Sequence, residues 1–473
     1  METYALYPSS INLSESRYFP PIGNQGLLNS CVAWATTYYQ FSYEMNKLNN
    51  RTATANNSYS PSWTWNFLNE GKNIGTWYKD AYKVLELFGA ESLSEMNYNM
   101  NNYNYSWSTN ESAQINALSQ RVNNVCSVGI GGSNNDTCIT SNTDSDLNSV
   151  KQLLNAGHVL TVMTNSWTNV DNDYTIYRGN DTSSGWHALT IVGYDDNSTY
   201  DINGNGIIET FEKGAFIAAN SWGTSSGQNG FCRIMYDALN TVSASPSSDW
   251  EANEPGNRKA IFNQNPEPSV YVDGNLNIFY YIEVEKRNVN FIGRLDFSTN
   301  YRNKINVSIQ HRNNYGADNY TQMYPIRNRG YADSTLSYSG SMFLDYGNCY
   351  NGDNPYNYYN NHNWYIKFGS TVSSWLNNPS YRIIDNKSST IAQFNTISLS
   401  SGTLTLTENK AISLLLGDLD YSGAVGLTDL ARIQQYLSGN TFFSNVQKRL
   451  ADCNSDGVID DADKNYISSA TVN

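Results

Sequence analysis

Asn24-Gln25-Gly26-Leu27-Leu28-Asn29-Ser30-Cys31-Val32-Ala33-Trp34 sets a polar, glycine-bearing turn against the first residues of a helical pattern. From Ser30 to Lys47 the spacing of Val32, Ala35, Tyr39 and Tyr43 predicts a helix with one apolar face. Cys31 falls in its first turn. Free backbone N–H groups and the positive end of the helix dipole favour thiolate over thiol there, so a lowered pKa is expected. A thiolate is a competent nucleophile, and an imidazole partner activates it and protonates the leaving group. On this feature alone, a cysteine at a helix start is more often a buried small residue, so the case depends on what the rest of the chain offers it.

The chain has four histidines. His158 lies between a glycine and an apolar strand and reads as structural, while His311 and His362 lie in β-rich sequence and read as surface or turn residues. His187 opens the apolar run Ala188-Leu-Thr-Ile-Val, next to a loop, where a ring can face a cleft. Asn220 closes another apolar run, and its amide can fix one imidazole nitrogen. Trp222, two residues on, can shield that bond from water. Gln25 can donate to a developing oxyanion, with the Cys31 N–H as second donor. Taken singly, Gln25 and Asn220 also read as ordinary loop residues.

Further helices are expected at 76–88 and 146–156, followed by strands at 159–163, 188–192, 215–219 and 231–235. Helices first and strands second suggest two lobes. Residues 250 to 410 show short alternating runs, such as Phe279-Tyr-Tyr-Ile-Glu-Val and Trp364-Tyr-Ile-Lys-Phe, without a convincing helix. They read as an antiparallel β-sandwich. The 473 residues suffice for several cores. Only 15% are charged, and 36 tyrosines with many Asn, Ser and Thr make the surface polar but weakly charged. A net charge of −14 without any basic run excludes nucleic-acid binding as an expectation. No apolar stretch reaches the roughly 18 residues of a membrane span. Met1-Glu-Thr-Tyr-Ala-Leu-Tyr-Pro has neither the basic start nor the apolar core of a signal peptide. A mature or truncated secreted form, or a cytosolic protein, is therefore expected, and the later segments favour the secreted form. Cys126 and Cys138 flank a Gly/Asn-rich loop and are candidates for one local disulfide; the other four cysteines read as unpaired.

Three segments fit the twelve-residue calcium-loop template. The first offers Asp201, Asn203, Asn205, the Ile207 carbonyl, Glu209 and Glu212, with Gly206 at the turn. An Asn/Gly hairpin turn needing no metal is the other reading of it. The remaining two form an internal duplication. One offers Asp418, Asp420, Ser422, the Ala424 carbonyl and Asp429; the other offers Asp452, Asn454, Asp456, the Val458 carbonyl and Asp463. Carboxylates so clustered repel one another without a cation. Each of this pair is followed by a helix, and neither shows a standard entering helix.

Asn24-Gln25-Gly26 with Ser30-Cys31, then Tyr177-Arg178-Gly179, Gly185-Trp186-His187-Ala188, Val192-Gly193-Tyr194, Asn220-Ser221-Trp222-Gly223-Thr224 and Gly230 together resemble papain-family cysteine peptidases, in order, over roughly residues 8 to 240. The resemblance implies a Cys-His-Asn site acting on peptide or protein substrates. Cys31 would be the nucleophile, His187 the acid/base, Asn220 the orienter and Gln25 the oxyanion donor. Gly75 would match the glycine that hydrogen-bonds substrate backbone. The family's usual C-G-S-C-W becomes Leu28-Asn29-Ser30-Cys31-Val32, which removes a disulfide cysteine without touching the chemistry, and the inhibitory pro-region is expected to have been removed, or activity to be controlled otherwise. The duplication over Gly417–Val472 resembles type I dockerins. That implies calcium, a cohesin module of a scaffoldin as partner, and an extracellular, cellulosome-associated setting. Leu427, Thr428, Asp461 and Ala462 would contact the partner.

The expected chain is multidomain. It has an α+β papain-like two-lobe catalytic domain over 1–245, an all-β sandwich-like middle domain over 246–412, and a small all-α calcium-binding dockerin over 413–473. The competing readings are a catalytically silent peptidase-fold binding protein and a carbohydrate-binding component whose centre is the β-rich region.

Overall fold

The structure is a computed structural model and describes residues 7–69, 71–100, 106–130, 146–164, 174–177, 186–202, 204–239, 277–301, 306–312, 318–323, 337–346, 363–369, 377–394, 397–400, 403–406 and 414–471. They divide into two compact units. The first comprises Met1–Glu86, Ala90–Tyr105 and Gln120–Glu285; the second comprises Leu87–Gly89, Ser106–Ser119 and Lys286–Asn473.

In the first unit the helix that begins at Cys31 runs to residue 48 in three parts. Cys31–Ala33 is α-helical, Trp34–Phe41 is π-helical and Ser42–Leu48 is α-helical. Its burial differs from the expectation of one apolar face, because every residue from 31 to 46 is buried. The polar positions that make the sequence look amphipathic are satisfied internally. Gln40 Nε2 donates to the Val159 and Tyr280 carbonyls, Thr37 bonds Thr64, and Asn46 donates to the Tyr18 carbonyl. Buried polar groups are tolerated when so paired. Helix Pro61–Leu68 was not expected. Ser60 caps it by accepting from Ser62 N, and Pro61 takes the first turn. Helices Tyr78–Phe88 and Asp146–Asn155 follow the expected positions.

The strands of this unit are β1 (Ser10–Asn12), β2 (Gln120–Ile130), β3 (Leu160–Thr164), β4 (Thr175–Ile176), β5 (His187–Thr199), β6 (Lys213–Ala219), β7 (Phe231–Met235) and β8 (Asn277–Lys286). They form one sheet in the order β2-β8-β3-β5-β6-β7-β4, with β1 paired to β5. β5 is its pivot. Leu189 and Ile191 enter a core with Val150, Leu154, Val162 and Phe216, while Val192 packs with Phe19, Trp34, Tyr39 and Tyr43. A strand buried on both faces explains the unbroken apolar run after His187. Gly193 is required there, since a Cβ would lie 2.0 Å from the Ile11 carbonyl oxygen of β1. β6 returns antiparallel to β5 with Ala219 opposite Thr190, so the residue after β6 comes level with the start of β5.

β8 departs from the expected division at 245/246. Its Phe279 and Ile282 are fully buried, and Phe279 packs on Phe216, which draws this strand into the sheet of the first unit. Cys126 is disulfide-bonded, and its expected partner Cys138 lies outside the described residues. Cys31, Cys232 and Cys453 are free thiols. Among the described residues no helix is long and apolar enough to cross a membrane.

The second unit has two antiparallel sheets. One contains β9 (Ile292–Thr299), β12 (Tyr338–Asp345), β14 (Asn377–Ile384) and β15 (Thr390–Phe394), in the order β12-β9-β14-β15. The other contains β10 (Asn306–Arg312), β11 (Asp318–Met323), β13 (Asn363–Gly369), β16 (Ile397–Ser400) and β17 (Thr403–Leu406), in the order β11-β10-β13-β17-β16. Helix Glu111–Ala117 belongs here, although the segments before and after it, Ala90–Tyr105 and Gln120–Glu285, belong to the first unit. Ile115 and Leu118 pack with Ile292, Phe343 and Ile384, and Arg294 grips Glu111 with two bonds of 2.7 and 2.8 Å. The C-terminal segment adds helices Leu427–Leu437, Asn445–Ala451 and Asp461–Ala470. The middle one corrects the expectation that no helix enters the second loop, since it leads straight into Asp452. Tyr421 donates to the fully buried Asp385 at 2.8 Å, and Asn445 N donates to Asn386 Oδ1 at 2.9 Å, tying this segment to the turn after β14.

Candidate active site and calcium-type loops

Cys31 and His187 are both buried, at 9% and 6% exposure. The helix start brings the sulfur to the head of β5, where the backbone amide of Ala188 bonds it. His187 Nε2 lies 2.8 Å from Asn220 Oδ1. The same Oδ1 accepts from Ser221 N at 2.7 Å. A backbone N–H can only donate, so this atom is the amide oxygen and not its nitrogen. His187 therefore carries its proton on Nε2, which leaves Nδ1 as the basic nitrogen. Trp222 covers the imidazole, with ring centroids 4.6 Å apart.

Gln25 is held on the same frame. Asn24 pairs with Trp222 in an isolated bridge, and Gln25 N donates to the Ser221 carbonyl at 2.7 Å. Ser221 Oγ donates to Gln25 Oε1 at 2.6 Å, which turns Nε2 toward the Cys31 turn. There Nε2 donates one hydrogen to the Leu28 carbonyl at 2.8 Å, leaving its second hydrogen for an incoming oxygen.

Three residues of this framework escape a sequence reading. Tyr39 OH donates to the Asn220 carbonyl at 2.8 Å and accepts from Gly23 N at 3.0 Å. Tyr98 OH donates to the Gln25 carbonyl at 2.8 Å and accepts from Ser30 Oγ at 2.7 Å. Ser221 joins Gln25 to Asn220. Its place between Asn220 and Trp222 was the one available signal, whereas Tyr39 and Tyr98 gave none. His158 pairs with Glu44 at 3.3 Å, away from this frame. Gly75 is exposed, with open space where a side chain would stand.

The electrostatics correct one expectation. Burial pushes the Cys31 thiol above its ordinary value, and the amides of Ala188, Val32 and Cys31 itself recover only part of that. Burial lowers His187 to about 4, against the opposing hydrogen bond to Asn220. Desolvation outweighs the helix start, so both partners rest neutral. Proton transfer between them creates two opposite charges together, the form in which a buried site tolerates charge.

The three loop segments share one backbone. In each, the first carboxylate accepts from the fifth and sixth amides. Asp201 takes Asn205 N and Gly206 N, Asp418 takes Ser422 N and Gly423 N, and Asp452 takes Asp456 N and Gly457 N. The twelfth carboxylate accepts from the second and ninth amides. Glu212 takes Ile202 N and Glu209 N, Asp429 takes Leu419 N and Gly426 N, and Asp463 takes Cys453 N and Asp460 N. The sixth-position glycines have φ of 82°, 88° and 85°, and the fourth positions, Gly204, Tyr421 and Ser455, have 70°, 63° and 62°. Asn203 lies outside the described residues. Asp418, Asp420 and Asp429 offer oxygens within 4.8 Å of one another, with Asp418 and Asp429 almost fully buried. Burial, with Asp420 and Asp429 beside it, pushes the Asp418 carboxyl up. An all-oxygen donor set of this kind suits a hard cation such as calcium.

Comparisons with known proteins bear on two parts of the chain. The papain family cysteine protease profile matches residues 7–248, and the type I dockerin domain profile matches residues 416–468. Three solved structures are similar. Bromelain protease from Ananas comosus, in complex with the E64 inhibitor, is 17% identical over 50% of this chain and 92% of its own, with a TM-score of 0.34. Xylellain, a cysteine protease from Xylella fastidiosa, is 17% identical over 58% and 86%, with a TM-score of 0.37. Digestive procathepsin L2 proteinase from Tenebrio molitor larval midgut is 19% identical over 50% and 65%, with a TM-score of 0.34. No curated protein matches. The chain belongs to the papain family of cysteine proteases and carries a type I dockerin domain in its C-terminal region.

Proposed function

We propose that the protein is an extracellular endopeptidase that hydrolyses peptide bonds through Cys31 and His187, and that its dockerin fastens it to a cohesin module of a cellulosomal scaffoldin. The observation that carries the catalytic part is the double use of Asn220 Oδ1, which puts the His187 proton on Nε2 and makes Nδ1 the basic nitrogen. His187 Nδ1 takes the Cys31 proton as Sγ attacks the scissile carbonyl carbon. The carbonyl oxygen becomes an oxyanion, received by the free hydrogen of Gln25 Nε2 and the Cys31 N–H. Collapse breaks the C–N bond, and His187 returns the proton to the leaving amine. Water, deprotonated by the same nitrogen, then cleaves the thioester and restores the thiol. Asn220 holds the ring through both halves.

Calcium in the two dockerin loops, and in the 201–212 loop between β5 and β6, completes the proposal. Residues Asp418, Asp420, Ser422, Asp429 and the Ala424 carbonyl would hold one ion. Asp452, Asn454, Asp456, Asp463 and the Val458 carbonyl would hold the second. Asp201, Asn203, Asn205, Glu209, Glu212 and the Ile207 carbonyl would hold the third. Bound calcium supplies positive charge against these carboxylates and takes no part in bond cleavage. The third loop closes the hairpin whose open end bears His187 and Asn220, so its ion would stiffen the catalytic pair from a distance.

Substituting Cys31→Ala tests the reading. Hydrolysis of a fluorogenic peptide library is expected to fall by about 10⁴-fold or more, the scale seen when a nucleophile is removed, with labelling by iodoacetamide lost at that position. Undiminished hydrolysis by the folded variant would remove Cys31 from the mechanism, and absence of hydrolysis by the unaltered protein would favour a silent fold.

A further inference from the structure

The two dockerin repeats share a backbone but not a surface. The second-repeat face is acidic. Asp461 and Ala462 are exposed beside Asp460, and the nearest cation, Lys464, is taken up by Asp461. The first-repeat face is different. Thr428, Arg432 and Gln435 of helix Leu427–Leu437 line one side of a groove of about 730 Å³, and Phe442 lines another. Its remaining wall is not dockerin. It comes from the turn after β14, through Lys387 and Ser389. No acidic residue lines the groove among the described residues, although the chain as a whole carries a net charge of −14.

The turn that presents Lys387 is built rigidly. Asp385 Oδ1 accepts from the amides of Lys387 and Ser389 at 2.8 and 2.9 Å, while its other oxygen accepts from Tyr421 of the first dockerin loop. Asn445 Nδ2 donates to the Val289 carbonyl at 3.2 Å, a second tie between the β-rich region and the dockerin helices. Lys387 is therefore held beside the helix that carries Leu427 and Thr428. Phe442, 81% exposed, lines the groove with the two cations, and Leu427, 74% exposed, precedes Thr428 on the same helix. A cationic groove with an apolar rim is the complement of a surface carrying carboxylates around an apolar patch. The acidic second-repeat face would repel that surface.

We propose that the β-rich region forms part of the scaffoldin-binding surface. The cohesin docks on the first-repeat face alone, with carboxylates set opposite Lys387 and Arg432, and Lys387 helps decide which cohesin is accepted. This rests on the dockerin–cohesin reading above. The two faces are not interchangeable despite the internal repeat, and an isolated dockerin fragment lacks a wall of its own binding site.

The experiment uses the full chain in excess calcium against immobilised recombinant cohesin modules, taking forward the module that binds the unaltered protein most tightly. Lys387→Glu and Arg432→Glu are each expected to weaken binding at least tenfold and to flatten its salt dependence. Lys387→Arg is expected to retain it, and Ala462→Arg to cost less than Lys387→Glu. Peptidase activity and the melting profile report folding in each variant. Loss of binding with Ala462→Arg, together with indifference to Lys387→Glu, would overturn the proposal while leaving the dockerin reading intact. Failure of every cohesin to bind the unaltered chain would overturn both.

Discussion

The proposed catalytic site and the dockerin loops both bury groups able to carry charge, and they solve the problem in opposite ways. At the catalytic site the buried partners rest neutral, and directional hydrogen bonds from Ser221, Tyr39 and Tyr98 hold their geometry. In the first dockerin loop three carboxylates converge, faced by backbone amides and the Ser422 hydroxyl. Packing suffices for the first arrangement. The second has an excess of negative charge that a bound cation would offset. The difference teaches where each unit is vulnerable: the peptidase to loss of an orienting bond, the dockerin to loss of an ion.

Chelation tests that contrast hardest. At free calcium a thousandfold above Kd, an ion contributes about 4 kcal/mol of stability. Excess chelator is expected to lower the melting transition of the second unit by several degrees and abolish cohesin binding, as calorimetry and a pull-down will report. In the first unit the 201–212 loop is the exception to the contrast. Glu212→Gln is expected to shorten the half-life of peptidase activity on heating in calcium and to leave little further effect for chelator. Insensitivity of both units would break the comparison.

Gln25→Ala comes next. Removing one oxyanion donor typically costs about 10²–10³ in kcat. The loss should fall on kcat with KM little changed, because the freed interaction exists only when the oxyanion forms. A pure KM effect would assign Gln25 to substrate binding.

The pH dependence follows from His187. Unfolded, its imidazole takes up a proton below about 6.5; folded, it resists until about 4. The unfolded state thus binds the extra proton in that window, and stability falls as pH drops from 6.5 to 4. The full loss amounts to about 3 kcal/mol at 1.36 kcal/mol per unit. Denaturant melts at pH 7 and pH 4 will read it, and Asn220→Ala, which removes the bond that opposes burial, should move the midpoint lower. A flat profile would mean that His187 is solvated. The smallest effect is expected for Ser221→Ala. Losing a neutral hydrogen bond costs about 1 kcal/mol, roughly fivefold in rate. Rescue by Ser221→Thr would assign the loss to positioning of Gln25 and Asn220.

How much of this was legible in the sequence depended on how local each feature is. Cys31, His187, Asn220 and Gln25 stand at the ends of strongly patterned elements, and their types and order are visible in one dimension. The three loops are visible because twelve consecutive residues contain the whole device. The helix at 31–48 was found, but its surroundings were not: Thr37, Gln40 and Asn46 look like a solvated face until their distant partners are known. The same limit hid Tyr39 and Tyr98, whose hydrogen bonds span 181 and 73 positions. It also hid the two crossings between units. Helix Glu111–Ala117 and β8 carry ordinary amphipathic patterns, and nothing in such a pattern says which core receives it.

The helix that bears Cys31 is enclosed on every side, with its polar residues as well as its apolar ones tied inward. Elements of that kind exchange their amide hydrogens last, through opening of the whole cooperative unit and not by fraying. The proposed nucleophile is therefore anchored in the slowest-opening part of its unit. Heating or denaturant should leave the backbone amides of this helix protected from hydrogen exchange until the unit as a whole gives way, and loss of that protection would then mark global unfolding.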